Sequence, residues 1–163
     1  MNAVDILKYG HLTLLQALEG LPESEWTTPG ACGPFSTKDL MVHLTSQEEV
    51  LADVLQSFGA GGSTPHFDLY GANPDEYGRG REARAATMSP AEVLADYHAA
   101  HDRLMDNVQA VPAETLRQVG TIPWYGAEYA LDDLIVYFNY GHKREHSGQM
   151  GLFRDRFQGQ SGG

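Results

Sequence analysis

Four stretches of the chain repeat apolar residues at helical spacing, and each is bounded by residues that start or stop helices. In the first, from about Ala3 to Gly20, Val4, Leu7, Leu14 and Leu18 share one stripe that Ile6 and Leu15 widen, and Leu21-Pro22 ends it. The second opens at Ser36, with Asp39 placed to complete a capping box. It carries Leu40, Leu44, Leu51, Val54, Leu55 and Phe58 before Gly59-Ala60-Gly61-Gly62 halts it. The third has Ser89 as cap, Pro90 as first helical residue and Glu92 closing the box. Its stripe is Leu94, Tyr97, His101, Leu104, Met105 and Val108, ending before Pro112. The fourth comes after the Pro123-Trp124-Tyr125-Gly126 turn and runs from about Leu131 to Phe157, with Leu131, Leu134, Ile135, Phe138, Met150 and Phe153 facing inward. Four long amphipathic helices predict an all-α four-helix bundle.

Residues 59–88 form the longest irregular region, in which Asn73-Pro74 predicts a short helix to about Ala86. A connection of that length is a lid, a pocket wall or surface decoration. Strand signals are confined to short pieces near Val119 to Ile122. The bundle domain is expected over residues 1–157, with a frayed polar tail at 158–163.

Composition narrows the partners. The 22 acidic residues outnumber 11 basic ones, for a formal net charge of -11, and such a surface repels phosphate backbones and anionic headgroups. The densest basic stretch, Arg79 to Arg84, includes Glu82 and forms no basic patch, so neither nucleic acid nor membrane is an expected partner. No apolar run approaches the roughly 20 residues that span a bilayer. Asp5 and Lys8 interrupt any signal-peptide pattern, and the single cysteine, Cys32, excludes an internal disulfide. These features predict a soluble, cytoplasmic protein.

Against that background the histidines stand out. His142 and His146 are one helical turn apart, on the line through Leu131, Ile135, Phe138, Met150 and Phe153, and His43 sits among Leu40, Leu44, Gln47 and Leu51. Buried imidazoles without partners are costly, by about 1–3 kcal/mol for one unsatisfied group. A common explanation is one divalent metal held by His43, His142 and His146, with an open position for water. Three neutral imidazoles and no thiolate favour zinc or nickel. The competing explanation is that each is a core hydrogen-bonder. His101 and His11 also lie on apolar stripes and read as structural, with a fourth-ligand or supporting role as the alternative; His98 and His66 are weaker candidates. Cys32 reads as an ordinary loop cysteine. Trp124, Tyr125, Tyr129, Tyr137 and Tyr140 read as core packing, with a pocket wall as the alternative.

Three stretches carry a resemblance to the DinB/YfiT-like family of metalloenzymes. Phe35-Ser36-Thr37-Lys38-Asp39-Leu40-Met41-Val42-His43-Leu44 is similar to that family's second-helix block, and Ser89-Pro90-Ala91-Glu92-Val93-Leu94 to its third-helix start. Pro123-Trp124-Tyr125-Gly126, with the helix ending His142-Lys143-Arg144-Glu145-His146-Ser147-Gly148-Gln149-Met150, is similar to its last-helix block. The resemblance implies an up-down-down-up bundle, often a homodimer, with a metal on His43, His142 and His146. It further implies a small-molecule substrate and a low-molecular-weight thiol as co-reactant, since relatives include bacillithiol transferases and mycothiol-dependent maleylpyruvate isomerases. The leading expectation is therefore a metal-dependent, thiol-using S-transferase. Its rivals are a metal-dependent hydrolase and a non-catalytic ligand-binding or stress-response protein. Glu48, Glu49 and Glu145 are the carboxylates nearest in sequence that could act as bases or support the ligands.

Overall fold

The computed structural model describes residues 2–159. Four long helical elements build it: α1 (Ala3–Leu18), α2 (Thr37–Phe58), α5 (Pro90–Ala110) and a composite fourth element. The last consists of α7 (Leu131–Leu134), a π-helical turn (Ile135–Gly141) and α8 (His142–Gln158). Shorter helices α3 (Pro65–Ala72), α4 (Pro74–Ala85) and α6 (Ala113–Arg117) fill the connections. The predicted caps are present. Ser36 accepts from the Asp39 N–H while the Asp39 carboxylate accepts from the Ser36 N–H, and Ser89 and Glu92 do the same for α5.

Two apolar clusters fix the helix directions. One joins the end of α1 (Leu14, Leu18), the start of α2 (Leu40, Met41, Leu44), the start of α5 (Val93, Tyr97) and the end of α8 (Met150, Phe153). The other joins the start of α1 (Ala3, Leu7), the ends of α2 (Leu51, Leu55) and α5 (Leu104, Val108), and Leu131, Leu134 and Ile135. The chain therefore runs up, down, down and up, as the resemblance implied.

Several expectations are corrected. Residues 59–88 are mostly helical, because α3 precedes the expected short helix. The Asp53 carboxylate of α2 caps α3, accepting from the N–H groups of His66 at 2.7 Å and Phe67 at 3.1 Å, so the start signal lies in another helix. Tyr77 and Arg81 then dock α4 on Glu49, at 3.3 and 2.7 Å. No strand forms at 119–122; the strands are β1 (Pro29–Cys32) and β2 (Phe35–Ser36), an antiparallel hairpin turned at Gly33, whose φ of +57° suits glycine. Cys32 thus lies on β1, half-buried against the first apolar cluster. The fourth element ends at Gln158, and residues 160–163 of the expected tail lie outside the described residues.

The largest correction is the π turn. One extra residue in a helical turn rotates the remainder of the helix by about 100°. From within it onward, Asn139, Lys143 and Ser147 take the buried line, while Phe138, His142 and His146 are half-buried at its edge. His43 is exposed, on an α2 otherwise buried from Leu40 to Glu48. The three histidines accordingly lie at the surface where α2 meets α8 and do not sit in the core. The aromatic group divides: Tyr125 and Tyr129 pack half-buried on the second apolar cluster, Trp124 and Tyr137 are exposed, and Tyr140 lies apart against Gly10.

Candidate metal centre

Helix geometry presents His142 and His146 side by side on α8, and α2 crosses antiparallel so that His43 faces them. The His142 Nε2 lies 3.0 Å from the His43 Nε2 and 2.9 Å from the His146 Nε2. All three ligand atoms fall within 4.8 Å of one another, and no other group of three histidine, cysteine or carboxylate donors forms among the described residues.

Gln149 sets the state of His146. Its Oε1 accepts from the His146 Nδ1–H at 2.7 Å, which leaves the neutral ring a lone pair at Nε2. Between neutral rings, a proton on the His142 or His43 Nε2 can bridge one of the two short contacts. With the proton on His43 the His142–His146 contact sets lone pair against lone pair, and with the proton on His142 a single N–H is shared between two acceptors. A cation at the centre satisfies all three nitrogens together. Zn–N bonds of about 2.0–2.1 Å in a tetrahedral site put nitrogens about 3.3 Å apart, a few tenths of an ångström wider than the two short contacts at His142. Zinc or another divalent ion of similar size therefore fits this donor set.

The electrostatics agree. Although the residue is exposed, desolvation of its ring where it packs on His142 and His146, then the charges of those two, lowers the His43 pKa to about 4. Burial and His146 lower that of His142, against a small opposing pull from Glu145. Both rings are neutral at pH 7, the state a metal ligand needs.

The other candidates lie elsewhere. Glu48 is fully buried and meets the Lys143 ammonium at 2.6 Å; it accepts from the Asn139 amide and pairs with the His101 Nδ1 at 2.8 Å. Burial raises its pKa, but Lys143 and His101 outweigh that and hold the carboxyl well below its usual range. His101 stacks on His11, with centroids 4.0 Å apart, and the His11 Nδ1 reaches the Tyr97 hydroxyl at 3.2 Å. His101 and His11 thus serve this inner network and do not join the triad. Glu49 belongs to the α4 clasp with Tyr77 and Arg81, and Glu145 is exposed. His98 meets His11 edge-on, and His66 sits in the first turn of α3, bonded to Tyr77 at 3.1 Å. Hydrophobic patterning alone does not single out Gln149, Asn139 or Lys143. The signal for Gln149 is its place one turn after His146; for Lys143, a cation inside an otherwise closed helix face.

The surroundings of the triad are aromatic on one side. Tyr70 of α3 packs at 6.0 Å on Phe138, one turn before His142, and the Tyr77 hydroxyl reaches the Ser46 carbonyl, one turn after His43. Helices α3 and α4 therefore stand beside the triad.

Fold and site together define an all-α bundle with a three-histidine cluster at the surface between α2 and α8. Residues 10–131 match the family described as mycothiol maleylpyruvate isomerase N-terminal domain. The chain belongs to that family, which is a DinB-like domain; the match supports this broader group and not its YfiT branch. The matched span includes His43 and ends before His142 and His146. No curated protein and no solved structure matches the chain. No helix among the described residues is long and apolar enough to cross a membrane.

Proposed function

We propose that this protein is a divalent-metal-dependent enzyme acting on a small molecule, with His43, His142 and His146 as the ligands and a low-molecular-weight thiol as co-reactant in an S-transfer. The observation that carries it is the convergence of three imidazole Nε2 atoms, with that of His142 at 3.0 Å from His43 and 2.9 Å from His146, where Gln149 leaves His146 its lone pair. A bound zinc or nickel ion would supply Lewis-acid chemistry and lower the pKa of a thiol or water beside it. The chain's own residues do the rest. Gln149 holds the His146 tautomer, the neutral rings of His43 and His142 keep their lone pairs available, and exposure of His43 leaves the site open to reactants. Tyr70 and Phe138 offer an apolar wall against which a substrate can lie.

The thiol is drawn from the family, whose name pairs it with a mycothiol-using isomerase. A hydrolase on the same ligands is separated by its indifference to added thiol. The non-catalytic reading requires a closed coordination shell, and among the described residues no fourth histidine, cysteine or carboxylate donor joins the triad.

The test is elemental analysis of tag-free protein beside a His142→Ala/His146→Ala variant, then conjugation assays with and without mycothiol or bacillithiol. About one zinc or nickel per chain, lost in the variant, and turnover only with thiol is the expected result. Absence of metal after incubation with both ions overturns the reading.

A further inference from the structure

Between the two apolar clusters lies a polar layer to which every long element contributes: His11 from α1, Glu48 from α2, His101 from α5, and Asn139 and Lys143 from the fourth element. Lys143 is only 1% exposed and Glu48 0%. Such pairs are poor sources of stability, because removing two charges from water offsets their attraction; their best-attested use is to select one register over another. Here two registers compete. In an uninterrupted α-helix from Leu131, the apolar line would continue through Phe138, His142 and His146, which would carry those imidazoles inward and turn Lys143 away from Glu48. The π turn instead puts Asn139 and Lys143 on the Glu48 carboxylate and brings His142 and His146 to the surface opposite His43. Both residues that gain a partner from the extra residue gain the same partner.

We propose that the buried Glu48–Lys143 pair positions the histidine centre, holding the fourth element in the π-interrupted register that turns His142 and His146 toward His43. Glu48 is the fixed point, set by His101 on α5. Lys143 is the rider, adjacent in sequence to His142, so any rotation that frees the ammonium also moves a ligand. The inference rests on the reading of the triad as a metal centre for its consequence, but not for its geometry.

The experiment compares Glu48→Met, Lys143→Met and the double variant, all carrying Cys32→Ser and Ser147→Cys. Ser147 is buried in the π-interrupted register, so the reactivity of residue 147 toward a soluble disulfide reagent reports the register without metal. Zinc affinity by competition titration reports the centre. In Glu48→Met the buried ammonium has lost its partner and leaves the core; thiol reactivity should rise at least tenfold and zinc affinity fall at least tenfold. Lys143→Met also breaks the pair but leaves the Glu48 carboxylate held by His101 and Asn139, so its zinc affinity should fall as well, by less than in Glu48→Met. The double variant should recover both readouts. A catalytic or directly ligating Glu48 would not be rescued by a second substitution at 143. If Glu48→Met does not fold, Glu48→Gln, which keeps the side-chain shape without the charge, should move both readouts the same way. Unchanged thiol reactivity in the Glu48 variants, or no recovery in the double variant, overturns the proposal. Failure of the parent protein to bind zinc overturns the metal reading alone, and the thiol arm then still decides the register.

Discussion

Replacing Asp53 by alanine tests whether α3 is held from outside its own sequence. The Asp53 carboxylate is fully buried on α2, and its Oδ2 takes the N–H groups of His66 and Phe67 at 2.7 and 3.1 Å. Thr64, the residue at the N-cap of α3, makes no side-chain cap of its own. Bonds from a charged acceptor contribute about 1.5–3 kcal/mol each, and water can re-cover part of that loss because His66 and Phe67 are half-buried. The Oδ1 also meets Arg103, whose side chain is 36% exposed, so the freed guanidinium turns to solvent and that pair adds less than about 1 kcal/mol. Some gain returns because a carboxylate no longer has to be buried. The expected loss for Asp53→Ala is about 2–4 kcal/mol, measured by urea unfolding. For a chain of 163 residues, about 3 kcal/mol corresponds to a fall of roughly 6–12 °C in Tm. Hydrogen exchange should accelerate across 64–72 more than elsewhere, since the loss is local to α3. Asp53→Asn keeps one acceptor for α3 and should lose about half as much. A change below about 0.5 kcal/mol for alanine, with exchange at 64–72 unaltered, would refute the assignment of Asp53 as the cap of α3.

Glycine positions and pH test the packing and the electrostatics separately. Gly59→Ala should cost about 1–3 kcal/mol in urea unfolding, because its Cβ would stand 3.1 Å from the Ala110 carbonyl oxygen, and backbone cannot swing aside. Gly148→Ala, in open space within α8, should instead gain about 0.5–1 kcal/mol; equal signs for the two would contradict the packing argument. Lowering the pH should weaken the metal-free protein: desolvation foremost holds His11 and His43 down to about 4, so the unfolded chain takes up protons below its ordinary 6.5 and the native state does not. That stability is present above about pH 6.5 and lost on the way to 4, with Glu48, held low chiefly by Lys143 against burial, adding a further loss below about 4.5; a urea midpoint constant from pH 7 to 4.5 would show the linkage absent.

Much of the bundle is legible because its signals are local. Ser36 and Asp39, or Ser89 and Glu92, lie within one turn of each other, and the stripes they introduce recur every third or fourth residue. The illegible parts are governed at a distance. The cap of α3 is Asp53 in another helix, and the hairpin at Pro29–Ser36 is too short to show a period of two. The π turn escapes detection for a different reason. Leu131, Ile135, Phe138, His142 and His146 fit an ordinary α-helix without a gap, and only the pull of Glu48 on Lys143 and Asn139 distinguishes the other register. The three histidines therefore converge although the premise that selects them, burial in the core, does not hold in the structure. Their pairing survives because the one-turn spacing of His142 and His146 holds within α8 whichever way the helix is rotated.

That difference in burial changes the chemistry. A triad inside the core would be closed to anything larger than water. At the surface His43 is exposed, and Tyr70 on Phe138 and Tyr77 on the Ser46 carbonyl each stand one turn from a histidine. Of the three roles open to residues 59–88, lid, wall or decoration, the contacts favour a wall. Helices α3 and α4 are fastened to α2 and α5 both by charge, through Asp53 at the start of α3 and Arg81 between Glu49 and Asp96, and by the apolar anchors Phe67, Tyr77 and Ala85. Of the wall's aromatic rings, Phe67 packs on the second apolar cluster and Tyr77 is buried, so Tyr70 on Phe138 is the ring left half-buried on the side of His142. The acidic residues of α2 thus divide the work by position. Glu48 turns inward to the polar layer, Glu49 and Asp53 turn outward to fasten the wall, and His43, on the remaining open face, is left to meet α8.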